Sequence, residues 1–335
     1  MTIQAYAAEQ AGKKLVSYAY EEKPLGPYEI DVKVSHCGIC HSDLHLIDND
    51  WQISQYPLVP GHEIVGTVQA AGQLIQHFQR GQRVGIGWQR TACMQCEYCM
   101  RGDENLCLEN QGTCVGHHGG FAERIIADGR FAFAIPESLS SENAAPLLCG
   151  GITVYAPLKS FDIRANMRVG VIGIGGLGHL ALQFSRAFGC EVTAFSSSAD
   201  KKEEALALGA HHFVSSKDAN EMQKLASSFD FILSTVSADL DWNLYLNLLR
   251  PDGKLCIVGI PQSELKIQAF PLIAGRKSIC GSPIGSRTMM NEMLEFAARH
   301  GIEARTELMP MSEVNVAIEK VRANQARYRM VLKTD

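Results

Sequence analysis

Four cysteines, Cys93, Cys96, Cys99 and Cys107, follow the spacing C-x2-C-x2-C-x7-C within fifteen residues. Four thiolates held this close suit a closed tetrahedral zinc site, with Zn–S bonds near ~2.3 Å. Ferredoxin-type runs share the first spacings but differ at the fourth, and no companion cysteine cluster points to electron transfer. The expected role is structural: a metal clamping a lobe of about residues 90–110. Three further segments carry a second set of candidate ligands: Cys40-His41-Ser42-Asp43-Leu44-His45, Gly61-His62-Glu63 and Leu148-Cys149-Gly150. Each is weak alone, because a single buried Cys or His is more often packing than ligation. Together they offer two thiolates, which neutralise Zn²⁺, and one neutral imidazole, which leaves a fourth position for a substrate oxygen. Glu63 and Asp43 are candidates to orient these ligands, and Glu63 also to approach the metal during ligand exchange. Cys37 competes with Cys40, and spacing does not separate them.

A different chemistry is encoded at Gly173-Ile174-Gly175-Gly176-Leu177-Gly178, a G-x-G-x-x-G run that follows the strand-like Arg168 to Ile172 and opens an amphipathic stretch. In that context the pattern predicts a dinucleotide pyrophosphate held at a helix N-terminus. The next strand-like segment ends at Phe195 and continues Ser196-Ser197-Ser198-Ala199-Asp200-Lys201. An NAD site would place a carboxylate there for the ribose 2′-hydroxyl. Ser196 and Ser197 donate hydrogen bonds instead, and Lys201 adds a cation, so NADP(H) is the expected cofactor. Asp200 would take the carboxylate role only if the turn were longer.

The elements that must position these groups change texture near residue 150. Before it lie short β segments between Gly and Pro signals: Asp31 to Val34, Ile64 to Val68, Arg83 to Ile86 and Phe121 to Ile126. These predict a β-rich, barrel-like domain over 1–149. Strands at Arg168 to Ile172, Glu191 to Phe195, Phe229 to Ser234 and Lys254 to Val258 then alternate with helices at Leu177 to Phe188 and Lys201 to Leu208. That alternation predicts an α/β, doubly wound parallel sheet over 150–283. A helix at Met289 to Arg299 and a strand at Arg327 to Leu332 fall in 284–335, which is expected to return to the first domain.

Composition narrows the function classes. The chain has 335 residues, 46% hydrophobic and 20% charged, with 31 Lys plus Arg against 36 Asp plus Glu. A net charge of -5 gives no footprint for nucleic acid or an anionic membrane. No apolar run spans a bilayer and the first residues do not read as a secretory signal, so a cytoplasmic protein is expected. Eleven cysteines in such a chain are not a disulfide framework. Cys37, Cys114, Cys190, Cys256 and Cys280 stay unassigned, with buried inert thiols as the expectation. His77, His179, His211, His212 and His300 read as structural or surface residues.

Taken in order, Cys40 to His45, Pro60-Gly61-His62-Glu63, the four-cysteine lobe, Cys149-Gly150-Gly151-Ile152-Thr153, the glycine run and Gly281-Ser282-Pro283-Ile284-Gly285-Ser286 resemble the zinc-dependent medium-chain alcohol dehydrogenases. The likeness is to the cinnamyl alcohol dehydrogenase branch and its bacterial NADPH-dependent aldehyde reductases, and runs essentially the whole length. It implies a GroES-like catalytic domain plus a Rossmann domain, and two zinc ions per chain. Cys40, His62 and Cys149 would hold the catalytic one, leaving Cys37 a neighbour. Ser42 would receive the substrate proton and His45 would pass it on. His41 and Arg329 would reach the pyrophosphate, Thr153 would touch the nicotinamide side, and Thr235, Gly259, Ser282, Pro283 and Ile284 would line the groove. Trp51 and Trp88 match two pocket tryptophans of the small-alcohol enzymes of yeast, while the segment from Cys107 to Gly120 is shorter than in the plant enzymes. The implied activity is reversible hydride transfer between NADP(H) and a primary alcohol or aldehyde, by a homodimer. The alternatives are a zinc-free quinone or enone reductase of the same fold and a non-enzymatic thiol or zinc redox sensor.

Overall fold

The computed structural model describes residues 2–21, 23–261 and 263–334, in two compact units: 1–152 with 285–335, and 153–284. In the first unit, Glu29–Ile39 is the longest strand and the organiser. It pairs antiparallel with Glu63–Ala71, Arg124–Asp128 and Arg329–Lys333. Thr306–Pro310, Arg83–Ile86 and Ala132–Ala134 complete a seven-stranded sheet. Alternating Ile, Val and Cys side chains on these strands give each one an apolar face. Ile3, Ile30, Val32, Ile64, Phe121 and Met330 fuse those faces into one core. The expected strand from Phe121 starts only at Arg124. Phe121 is instead a buried loop residue whose carbonyl accepts from the Tyr6 amide at 2.8 Å.

Register in this sheet places the chemistry-bearing residues. Gly38 lies opposite Glu63 and Cys37 opposite Ile64. The residues just beyond both strand ends, Cys40 on one and His62 on the other, are therefore neighbours. On the other flank Met330 pairs with Ile39, which brings Arg329 to the same end. Cys149 arrives differently, within a π-helical turn at Leu147–Gly151 that follows the helix Ser141–Pro146. Single π turns of this kind recur at functional sites, since the extra residue re-aims a side chain.

The second unit holds six parallel strands: β1 Arg168–Ile172, β2 Glu191–Ser196, β3 His212–Ser215, β4 Phe229–Ser234, β5 Leu249–Ile257 and β6 Ser278–Gly281. Their spatial order is β3-β2-β1-β4-β5-β6, the doubly wound dinucleotide-binding arrangement. Val169, Val171, Val192, Ala194 and Phe231 are fully buried, as in strands covered on both faces. After β1 the chain turns at Gly173, with φ of 86°, and helix Gly178–Ala187 begins. A Cβ at Gly178 would lie 1.8 Å from the Gly173 carbonyl oxygen, so this crossing requires glycine.

Gly178→Ala is expected to destabilise the protein by roughly 1–3 kcal/mol or more, because the obstructing atom is backbone and has no rotamer to change. Denaturant unfolding of the purified variant measures this, and an unchanged midpoint would refute the packing argument.

Candidate active site

Cys40 caps the helix His41–Asp48, and Asp43 occupies its third position. The Asp43 carboxylate is fully buried and serves three donors. Oδ2 accepts from the Cys40 amide at 2.9 Å. Oδ1 accepts from the Gly61 amide at 3.0 Å and from His62 Nδ1 at 2.9 Å. A proton held on Nδ1 fixes the tautomer and turns the Nε2 lone pair the other way. His62 Nε2 is buried and finds no hydrogen-bond partner among the described residues.

Around that nitrogen, Cys40, Cys149 and Glu63 offer donor atoms that all lie within 4.8 Å of one another and of His62. The Cys40 and Cys149 sulfurs are 4.0 Å apart. A hydrogen bond from Cys149 draws Cys40 well below the usual thiol range, and the same bond pushes Cys149 up. Glu63 is paired with the Arg329 guanidinium; burial pushes its carboxyl up while Arg329 pulls it down. Glu63 Oε2 and Arg329 Nε are both buried without a partner among the described residues. Cys37 and Cys114 are buried nearby. Cys114 donates to the Gly61 carbonyl at 3.2 Å, and burial lifts its thiol to about 11, so it stays protonated beside His62.

The wall of this site is aromatic. Trp88 meets His62 edge-on at 5.0 Å between centroids, and Trp51 meets Trp88 at 5.9 Å. Ser42 is half-buried, with its Oγ 3.7 Å from the Cys40 sulfur. His45 stands one turn further along, 5.1 Å from the Trp51 ring. Its Nδ1 is 2.7 Å from Asp50 Oδ2, a partner that sequence reasoning missed although Asp50 adjoins Trp51. His41, at the first turn, is exposed.

The four-cysteine lobe is self-contained. Donor atoms of Cys93, Cys96, Cys99 and Cys107 all lie within 4.8 Å of one another. The Cys96 amide donates to the Cys93 sulfur at 3.3 Å, as backbone does around a metal-bound thiolate. Only Ala92, Cys99, Cys107 and Phe131 form a buried cluster here, too little to hold a lobe without a metal. Glu104 and Arg287, paired at 2.9 Å, tie the lobe to the helix Arg287–His300.

In the second unit, a Cβ on Gly175 would meet nothing within 4 Å, so the middle of the glycine turn faces open space. No side chain among the described residues caps the helix that follows, and the His179, Leu180 and Ala181 amides are already donated to the Gly175 and Leu177 carbonyls, which leaves the glycine turn ahead of them to meet an anion. Gly176 and Leu177 complete the turn, and Thr235 donates to the Ile172 carbonyl at 2.8 Å beside Gly173. Gly259 is buried, with its amide on Ser234. Ser196 is buried at the end of β2, and its Oγ accepts from the Ser198 amide at 3.1 Å. Ser197 is exposed just beyond. Lys201 Nζ donates to the Ile174 carbonyl at 2.7 Å, which holds the ammonium against the glycine turn. Thr153, Ser282 and Ile284 are half-buried and Pro283 is exposed.

Two family models match this chain, the alcohol dehydrogenase GroES-like domain over residues 26–137 and the zinc-binding dehydrogenase over 176–299. The aldehyde reductase AdhA of Synechocystis sp. is 46% identical over 330 residues, covering 98% of each chain. Among solved structures, a cinnamyl alcohol dehydrogenase from Sorghum bicolor superposes with a TM-score of 0.95 at 39% identity, over 99% of this chain and 98% of that one. The Helicobacter pylori enzyme complexed with NADP(H) gives 0.92 at 30%, with the same coverage. On the strength of both domains, their order and these whole-length likenesses, the chain belongs to the zinc-binding alcohol dehydrogenase family.

Proposed function

We propose that this protein is an NADP(H)-dependent oxidoreductase that interconverts primary alcohols and aldehydes and works mainly as an aldehyde reductase. The observation that carries the reading is the buried, unpartnered Nε2 of His62 facing two thiols 4.0 Å apart. A buried nitrogen without a partner calls for one, and a cation held with the two thiols would supply it. Cys40, His62 and Cys149 would hold the catalytic zinc, and Cys93, Cys96, Cys99 and Cys107 the structural one. When bound, the catalytic ion polarises a carbonyl or alcohol oxygen and the nicotinamide supplies or accepts hydride.

The protein's own residues do the rest. Ser42 exchanges the hydroxyl proton with the substrate oxygen. His45 carries it onward, with Asp50 fixing its ring through Nδ1. Asp43 sets the His62 tautomer, and Trp51 and Trp88 narrow the pocket and keep water from the reacting carbon. Gly173, Gly175, Gly176, Leu177 and Gly178 admit the pyrophosphate, with His41 and the unpartnered Arg329 Nε as further donors. Thr153, Thr235, Gly259, Ser282, Pro283 and Ile284 line the nicotinamide half. Ser196, Ser197 and Lys201 receive the 2′-phosphate, where an acid would repel it. The Synechocystis relative is named an aldehyde reductase, which supports the direction. Eleven unpaired thiols support a reducing, cytoplasmic setting. A homodimer through the nucleotide unit completes the reading. Strand β6 is a sheet edge, and near it Ile260, Phe270 and Ile273 are 61%, 78% and 78% exposed.

The purified protein should carry two zinc ions and oxidise NADPH with aliphatic and aromatic aldehydes. Cys149→Ser should lose one ion and about a thousandfold or more in kcat/KM, since the ion contributes several kcal/mol to the barrier. Turnover without the catalytic ion would instead indicate a zinc-free reductase, and one ion without turnover a sensor. Cofactor choice has its own test. Ser197→Asp should lower kcat/KM for NADPH by about tenfold or more, roughly 1.4 kcal/mol, and raise it for NADH. An unchanged ratio would remove Ser197 from the phosphate site. Sedimentation of Phe270→Asp/Ile273→Asp should show a monomer where the parent is a dimer, and a dimer from both would place the interface elsewhere.

A further inference from the structure

Glu104 sits between the lobe cysteines Cys99 and Cys107 in the chain and is 3% exposed. Acids are rarely buried to this degree unless they are paired. Its backbone is fixed, because the carbonyl accepts from Gln89 Nε2 at 2.7 Å, on the short strand Gln89–Thr91. Its carboxyl group reaches out of the lobe. Oε1 accepts from Arg287 Nε at 2.9 Å, while Oε2 is buried without a partner among the described residues. A buried ion pair is weak grounds for stability, since an apolar pair of similar volume often does as well. What sets this pair apart is what it connects.

Arg287 is the first residue of the helix Arg287–His300. Its guanidinium is tied to the lobe side three times: to Glu104, to the Arg130 carbonyl through Nη1 at 3.1 Å, and over the Phe131 ring at 5.2 Å from the centroid. Phe131 packs with Cys99 and Cys107. Residues three apart on a helix share a face, and Met290 and Met293, three and six beyond Arg287, are buried. These methionines back the turn that carries Cys149. The Met293 sulfur would lie 3.2 Å from a Cβ on Gly151, two residues after Cys149. The Met290 methyl would lie 3.3 Å from a Cβ on Gly87, and the same Cβ would be 2.7 Å from the carbonyl oxygen of Leu148, the residue before Cys149. The turn Leu147–Gly151 has no side-chain cap, so packing holds it, this helix included.

We propose that Arg287, held by Glu104, is a positioning residue for the reaction: it sets the helix Arg287–His300 at the depth and rotation that place the Cys149 sulfur among the metal ligands. The four-cysteine lobe then braces that helix, and through it serves the other metal site without touching substrate. The proposal rests on the assignment of Cys149 as a zinc ligand made above. A displaced Cys149 loosens the ligand set, and a misplacement of about 1 Å at a reacting centre can cost on the order of a hundredfold in rate.

The test uses the zinc-loaded protein and reads Cys149 directly. Parent and variants are mixed with a zinc chelator and an alkylating reagent, and their peptides are quantified over time by mass spectrometry. Exposure of Cys149 is thereby followed apart from that of Cys93, Cys96, Cys99 and Cys107. Arg287→Met and Glu104→Leu should each alkylate at Cys149 about tenfold faster than the parent and lower kcat for an aldehyde about tenfold. Should Glu104→Leu fail to fold, Arg287→Met, half-buried at a helix start, carries the same comparison. Arg287→Lys, which keeps the charge, should recover part of both losses. The double variant should be no worse than either single one, because both break the same link. A lowered unfolding midpoint with Cys149 alkylation and kcat unchanged would reduce the pair to a structural tie and overturn the proposal, as would losses that simply add. A parent whose Cys149 is alkylated at once without chelator would instead remove the zinc assignment itself, and the proposal with it.

Discussion

One buried carboxyl group holds the candidate metal site together. Asp43 takes hydrogen bonds from the Cys40 amide, the Gly61 amide and His62 Nδ1. Those three groups come from a helix cap, a loop and the end of a strand. Each bond would be ordinary alone; on one carboxylate they fix the spacing of two ligands and the tautomer of one. A buried carboxyl group is tolerated where N–H donors take the place of its lost water. Packing of the strands sets the approximate position of Cys40 and His62, and Asp43 refines it.

The two metal sites are supported in opposite ways. The lobe takes all four cysteines from fifteen consecutive residues, so a metal organises a segment that lacks a core of its own. The other site draws Cys40, His62 and Cys149 from elements that already fold: two paired strand ends and a π turn. Such a site is preorganised, and its ligands need not rearrange when the fourth position changes occupant.

What was legible in the sequence follows the same division. The lobe could be read from spacing, and the parallel sheet from the alternation of Arg168–Ile172, Glu191–Ser196 and Phe229–Ser234 with helices. The turn from Gly173 to Gly178 could be read because two of its positions need glycine, Gly173 for its positive φ and Gly178 for its approach to the Gly173 carbonyl. The π turn around Cys149 was hidden, since an apolar Gly-rich run has no periodicity that betrays it. Arg329 on Glu63 was hidden for another reason. The partners are 266 residues apart, and their meeting depends on the register of Met330 against Ile39. Asp50 beside His45 was missed although it is local, because the helix ends at Asp48 and its C-cap Asn49 adopts a left-handed conformation that turns Asp50 back.

Charge accounts for the presence of Arg329. With both thiols and Glu63 ionised, the site would carry three negative charges, of which Arg329 cancels one. The remaining two match a divalent cation, with Asp43 balanced separately by its three N–H donors. Without the ion, burial of both thiolates would be too costly. A proton then stays on Cys149, which is pushed up, and is shared toward Cys40, which its hydrogen bond draws down. Metal binding must therefore release protons, and affinity should rise with pH until both thiols are ionised. By pairing with Glu63, Arg329 also lets a carboxylate stand beside Cys40, His62 and Cys149 in a buried site.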